Sequence, residues 1–105
     1  MIKANHLVYF ACVVKHRSFS AAAKEVRVSK STLSRAVIDL EQALGASLLA
    51  RTSRHVDVTP AGEQLYTRCR AVYNAVLAAQ KALENMKAER HITPTAHRGT
   101  IAVDQ

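Results

Sequence analysis

Within residues 29–45 the apolar positions Leu33, Val37, Leu40 and Leu44 recur at steps of four, three and four. That spacing places them on one face of a helix. Both ends are marked. Ser29 is placed to cap the N-terminus, accepting from a backbone N–H that has no intrahelical partner. Val28 and Leu33 have the spacing of a hydrophobic staple, and Gly45 supplies a left-handed residue to end the helix. The other face of the first two turns carries Lys30, Ser31, Ser34 and Arg35. A short helix with a buried stripe and small polar and basic groups at its start suits the DNA major groove. The same pattern also fits an ordinary amphipathic surface helix.

The rest of the chain extends this pattern. Asn5 is expected to cap a first helix reaching about Arg17, with Leu7, Phe10, Ala11 and Val14 as its inner face. Ser18-Phe19-Ser20 breaks it, and Ser20 is expected to cap a short alanine-rich helix over 21–26, whose small side chains let a neighbour approach closely. Arg27-Val28 is the turn into the 29–45 helix, giving the helix-turn-helix plan. Residues 47–52 and 55–59 then flank Ser53-Arg54, and Val56 and Val58 alternate with polar neighbours. This predicts a small hairpin, a wing with Arg54 near its tip. Thr59-Pro60 opens a long helix, with Thr as cap and Pro at the first helical position. Along it Leu65, Cys69, Val72, Val76, Ala79, Leu83 and Met86 alternate steps of four and three. That 3.5-residue seam predicts a left-handed coiled coil. A helix over 60–89 is roughly 45 Å long at 1.5 Å per residue, so the seam calls for a partner. Tyr66 and Tyr73, one heptad apart, are expected at its interface. Residues 90–99 look like a linker, and Gly99-Thr-Ile-Ala-Val resembles the first strand of a further domain in a longer protein.

Charge narrows the class of partner. The formal net charge is +7, and residues 1–55 hold nine Lys/Arg against three acids, whereas 56–105 hold six against five. A basic half beside a near-neutral half points to a polyanion met by the first half alone. The basic residues are dispersed among caps and turns and do not line one amphipathic helix, which disfavours a membrane surface. No targeting signal is evident, and the apolar run 7–14 is too short to span a bilayer. Two distant cysteines, Cys12 and Cys69, form no disulfide framework, which fits a reducing compartment. Neither a Ser/His/Asp arrangement, a Gly-rich phosphate loop nor a plausible carboxylate pair is present, so no enzyme is expected. Cys12 and His16, at i and i+4, could hold a metal, but structural zinc needs four ligands and no second pair is evident. No metal and no cofactor is expected. Cys69 reads as a small hydrophobe in the seam.

Taken together, Phe10, Ser18-Phe19-Ser20-x-Ala22-Ala23, Val28-Ser29, Leu33-Ser34-Arg35, Leu40-Glu41, Leu44-Gly45, Leu48-Leu49-x-Arg51, Arg54 and Thr59-x-x-Gly62 resemble the DNA-binding domain of LysR-type bacterial transcriptional regulators. The resemblance covers about residues 5–90. It implies a mostly α fold: a winged helix-turn-helix over 1–59 with a small β-hairpin wing, a dimerising linker helix over 60–89, and at 90–105 the hinge and start of an effector-binding domain. It implies a cytoplasmic, nucleoid-associated protein binding double-stranded DNA at interrupted palindromes, as a homodimer open to further pairing into tetramers. A small-molecule inducer would act only through the effector domain. Carried over by position, the DNA-binding set is Ser18, Ser20, Lys30, Ser31, Thr32, Ser34, Arg35, Arg51 and Arg54. Many family members have Gln-Pro-Ala where this chain has Lys30-Ser31-Thr32, and Leu-Phe where it has Leu48-Leu49. Two other readings are open: a winged-helix metal- or redox-sensing repressor acting without an effector domain, and a pure dimerisation module with a solvated basic face.

Overall fold

The computed structural model describes residues 2–51 and 56–92, with side chains at 2–50 and 56–89. The elements run α1 (Ala4–His16), α2 (Phe19–Val26), α3 (Lys30–Leu44), β1 (Leu49–Arg51), β2 (Val56–Val58) and α4 (Pro60–Ile92). The chain divides into two compact units, Met1–Asn74 and Ala75–Gln105.

In the first unit α1, α2 and α3 pack on one another. α3 has the predicted ends: Ser29 Oγ accepts from Thr32 N at 3.1 Å, and Gly45 adopts φ +67°. Its stripe is buried at Leu33, Ala36, Val37 and Leu40, while Leu44 is exposed.

The caps of the first two helices differ from expectation. α1 starts before Asn5, with Lys3 at the cap position and no side-chain cap bond. α2 is capped by Ser18, whose Oγ accepts from Ala21 N at 3.1 Å, so Ser20 lies within the first turn. Both helices end on a left-handed arginine, Arg17 (φ 53°) and Arg27 (φ 60°), each donating its N–H to a carbonyl of the last turn. The middle of α1 is enclosed, since Phe10, Ala11, Cys12, Val13 and Val14 are all buried. Leu7, an expected inner residue, is half-buried.

β1 and β2 form an antiparallel pair with Leu49 opposite Val58 and Arg51 opposite Val56. Arg54, the expected tip, lies outside the described residues. Glu41 fixes the approach to β1, its Oε2 accepting from Leu48 N and Leu49 N at 2.9 and 3.2 Å. Two backbone donors that would otherwise lack partners are thereby satisfied. Thr59 caps α4 as expected, accepting from Gly62 N at 3.0 Å and donating its hydroxyl to Ser47 O at 2.6 Å. Gly62 is required by proximity: a Cβ there would stand 2.2 Å from Leu48 O and 2.7 Å from Val58 Cγ1.

The start of α4 belongs to the core of this first unit. Cys69 and Tyr73 are 2% and 1% exposed, and Tyr73 is among the largest fully buried side chains, with Phe10, Leu33 and Leu40. Tyr73 is therefore a core residue of its own chain and not the interface residue expected from the heptads. Cys69, predicted in the dimerisation seam, is likewise already covered within its own chain. Of the remaining seam, Leu65 and Val76 are half-buried, and Val72, Ala79, Leu83 and Met86 are exposed. The second unit holds the rest of α4, whose described side chains are exposed apart from half-buried Val76 and Leu77.

Candidate nucleic-acid interface

The start of α3 gathers most of the expected reading residues. Lys30, Ser31, Thr32 and Arg35 are exposed and Ser34 is half-buried, opposite a face whose Leu33, Val37 and Leu40 have no exposure. The hydroxyls are not independent. Ser29 Oγ lies 3.1 Å from Ser31 Oγ and 2.9 Å from Thr32 Oγ1, so the cap, Ser31 and Thr32 share one hydrogen-bonded cluster. A base edge reached by Ser31 or Thr32 therefore competes with the helix's own cap. Arg35 is unencumbered: it takes part in no ion pair among the described residues, and Asp39, four residues on, does not hold it. Its guanidinium can present two parallel N–H groups to guanine or a phosphate.

α1 adds residues that the sequence pattern did not single out. Lys3, His6 and Tyr9 share an open groove with Ser31, Thr32, Arg35 and Asp39. Lys3 counts among the nine basic residues of 1–55, and that charge is the sequence signal for it. Ser18 and Ser20 lie at the start of α2. Ser18 spends an acceptor pair on Ala21 N and keeps its O–H to donate, while Ser20 is exposed. Arg51 is placed at the end of β1, opposite Val56.

Behind these helices a polar cluster joins three elements. Glu25 Oε1 of α2 accepts from Tyr73 OH of α4 and lies 2.6 Å from His16 Nε2 and 3.3 Å from Cys12 Sγ, both of α1. The Tyr73 hydrogen bond, followed by that of His16, holds the Glu25 carboxyl down at about 2 against its burial. Burial, with the Glu25 hydrogen bond second, pushes the Cys12 thiol up to about 12. The Tyr73 phenol is raised for the same two reasons, and burial raises the Cys69 thiol. Lys15 Nζ sits 5.3 Å from the centre of the Tyr73 ring. The sequence pointed to Cys12 and His16 only. Glu25 and Tyr73, 13 and 61 positions from Cys12, carry no local signal of joining them. Cys12 and Cys69 are both free thiols. Among the described residues no helix is long and apolar enough to cross a membrane.

Known proteins resemble this chain in sequence and in structure. A probable hydrogen peroxide-inducible genes activator of Mycobacterium xenopi is 45% identical over 67 residues, covering 64% of this chain and 35% of the relative. The uncharacterized HTH-type transcriptional regulator YnfL of Escherichia coli K12 is 38% identical over 85 residues, 81% of this chain and 29% of that protein. The chain thus spans about a third or less of these curated relatives. Among solved structures, a BenM DNA-binding domain in complex with catB site 1 DNA superposes with TM-score 0.65 at 33% identity, covering 81% of this chain and 96% of that one. A CbnR DNA-binding domain–DNA complex gives TM-score 0.65 at 31% identity, covering 84% and 99%. Residues 4–63 match the family profile described as bacterial regulatory helix-turn-helix protein, lysR family. With a capped recognition-type helix, a two-stranded wing and a long helix following it, this chain belongs to the LysR family of bacterial regulatory helix-turn-helix proteins.

Proposed function

We propose that the chain binds an interrupted palindromic promoter site in double-stranded DNA as a homodimer. In this reading α3 enters the major groove through Lys30, Ser31, Thr32, Ser34 and Arg35. The wing, with Arg51 and Arg54, lies along the flanking minor groove, and Ser18 and Ser20 meet phosphate. The observation that carries the reading is the exposed polar start of α3, with a free Arg35, set against a fully buried opposite face. The two similar domains solved on DNA support it. Dimerisation through α4 is supported by the open apolar positions Val72, Leu83 and Met86, which are 40%, 54% and 58% exposed. Leu65, Val76 and Ala79 complete that seam, which leaves out Cys69. The division into a DNA-binding part over 1–59, a linker helix over 60–89 and a hinge from 90 belongs to the same proposal, with the start of the linker helix, up to Asn74, packed as part of the first unit. So do a following effector domain as the sole site of small-molecule control, further pairing into tetramers, and work on the bacterial nucleoid in the cytoplasm.

Selection of bound duplexes from a random pool tests the whole reading. The expected result is two inverted half-sites at fixed spacing, with affinity falling steeply as salt rises because phosphate contacts release counterions. Recovery of a single half-site would remove the dimeric palindrome. An absence of selected sequence together with a flat salt response would leave only a solvated basic face.

A further inference from the structure

The cluster behind the helices has the composition of a metal site. Cys12 Sγ, His16 Nε2 and Glu25 Oε1 all lie within 4.8 Å of one another. A thiolate, an imidazole and a carboxylate are the three ligand types that zinc takes. With bonds of roughly 2.0–2.3 Å, neighbouring ligand atoms of a tetrahedral site stand about 3.3–3.7 Å apart. The Cys12–Glu25 separation of 3.3 Å already meets that edge, and the His16–Glu25 separation of 2.6 Å must open by somewhat under an ångström. Glu25 and His16 can make this adjustment, since each side chain is 28% exposed, whereas Cys12 is buried and fixes the deep end. Tyr73, His16 and Cys12 all converge on the single oxygen Oε1.

We propose that the chain binds one divalent cation of the zinc class through Cys12, His16 and Glu25, with solvent completing the coordination. Binding replaces the Cys12 S–H bond by a sulfur–metal bond and releases that proton to solvent, and no oxidation state changes. His16 ligates through Nε2 with its proton on Nδ1. Tyr73 stays a phenol and donates to the bound carboxylate, the outer partner that ligating carboxylates ordinarily keep. Because a thiol proton must leave, uptake strengthens as pH rises. The site goes beyond the DNA-binding reading and does not depend on it.

Cobalt(II) titration of the purified chain under reducing conditions tests the site. The expected result is one equivalent bound, with a sulfur-to-cobalt ultraviolet band and the intense visible bands of tetrahedral cobalt, both abolished by zinc. Cys12→Ser should remove the ultraviolet band and Cys69→Ser should keep it. His16→Gln and Glu25→Gln retain hydrogen-bonding groups and should each weaken uptake at least about tenfold. The proposal is overturned if folded protein gives no ultraviolet band, or if the band survives Cys12→Ser. Undiminished uptake by both Gln variants overturns it as well, and those variants decide the matter if Cys12→Ser does not fold. Duplex binding measured on the same samples reports separately on the DNA reading.

Discussion

Replacing Tyr73 with Phe removes one oxygen and leaves the buried ring in place. The hydroxyl donates to Glu25 Oε1 and is the largest cause of the low Glu25 pKa. A fall from 4.5 to about 2 corresponds to about 3 kcal/mol between the two protonation states as an upper bound. Glu25 keeps 28% of its side-chain surface in solvent, and screening there reduces the figure. His16 and Cys12 still donate to the carboxylate in the variant. Tyr73→Phe should therefore cost about 1–2 kcal/mol at neutral pH, a fall in Tm of roughly 5–10 °C for a domain of this size. The sign of the pH dependence follows from the direction of the shift. A carboxyl whose folded pKa is depressed contributes fully above its unfolded value of 4.5, and the contribution is lost as pH falls from there towards 2. The gap between parent and variant should thus be widest at neutral pH and narrow on acidification to about pH 3. Urea unfolding at fixed protein concentration, repeated across that range, measures it. Equal stability at neutral pH, or a gap that does not change with pH, would show that the Tyr73–Glu25 bond does not hold α4 to the helix-turn-helix.

Three further outcomes are expected. Gly62→Ala places a Cβ against the Leu48 carbonyl and Val58 and should destabilise the domain by about 2 kcal/mol or more, read from thermal melts, with hairpin amides losing exchange protection. Arg35→Ala should leave Tm nearly unchanged while weakening operator binding by about 1–3 kcal/mol; the reverse pattern would make Arg35 a fold residue. Val76→Asp with Leu83→Asp should yield a monomer by sedimentation, since charges buried in the seam cost several kcal/mol, and a double variant that stays dimeric would rule the seam out.

Local chemistry was legible at the ends of α3 and the start of α4, though not at the start of α1, where Lys3 and not Asn5 takes the cap position. Ser29, Gly45, Thr59 and Pro60 mark helix ends by cap geometry, and the structure uses Ser29, Gly45 and Thr59 in those roles. Where two residues were equally able, sequence could not choose. Ser18 and Ser20 have the same hydroxyl, and the fold selects Ser18 by starting α2 at Phe19. α1 and α2 end on left-handed arginines, with no glycine to announce the stop. The seam was ambiguous for a different reason. A heptad stripe specifies that a face is covered and not by what, so Cys69 and Tyr73 looked like partner contacts although their own chain buries them. The Cys12–His16–Glu25–Tyr73 cluster is assembled by tertiary packing, and no spacing rule reaches across 61 positions.

The burial of Tyr73 moves the seam along which such a regulator can be taken apart. A joint placed at Pro60, where the helix begins, would strip Cys69 and Tyr73 from the core and leave Glu25 without its phenol donor. A joint placed after Asn74 keeps the first unit whole. Recombination or ligation that joins this first unit to another domain should therefore succeed only when the first four turns of α4 travel with it. The inheritable module ends inside a continuous helix, at a point that secondary structure does not mark.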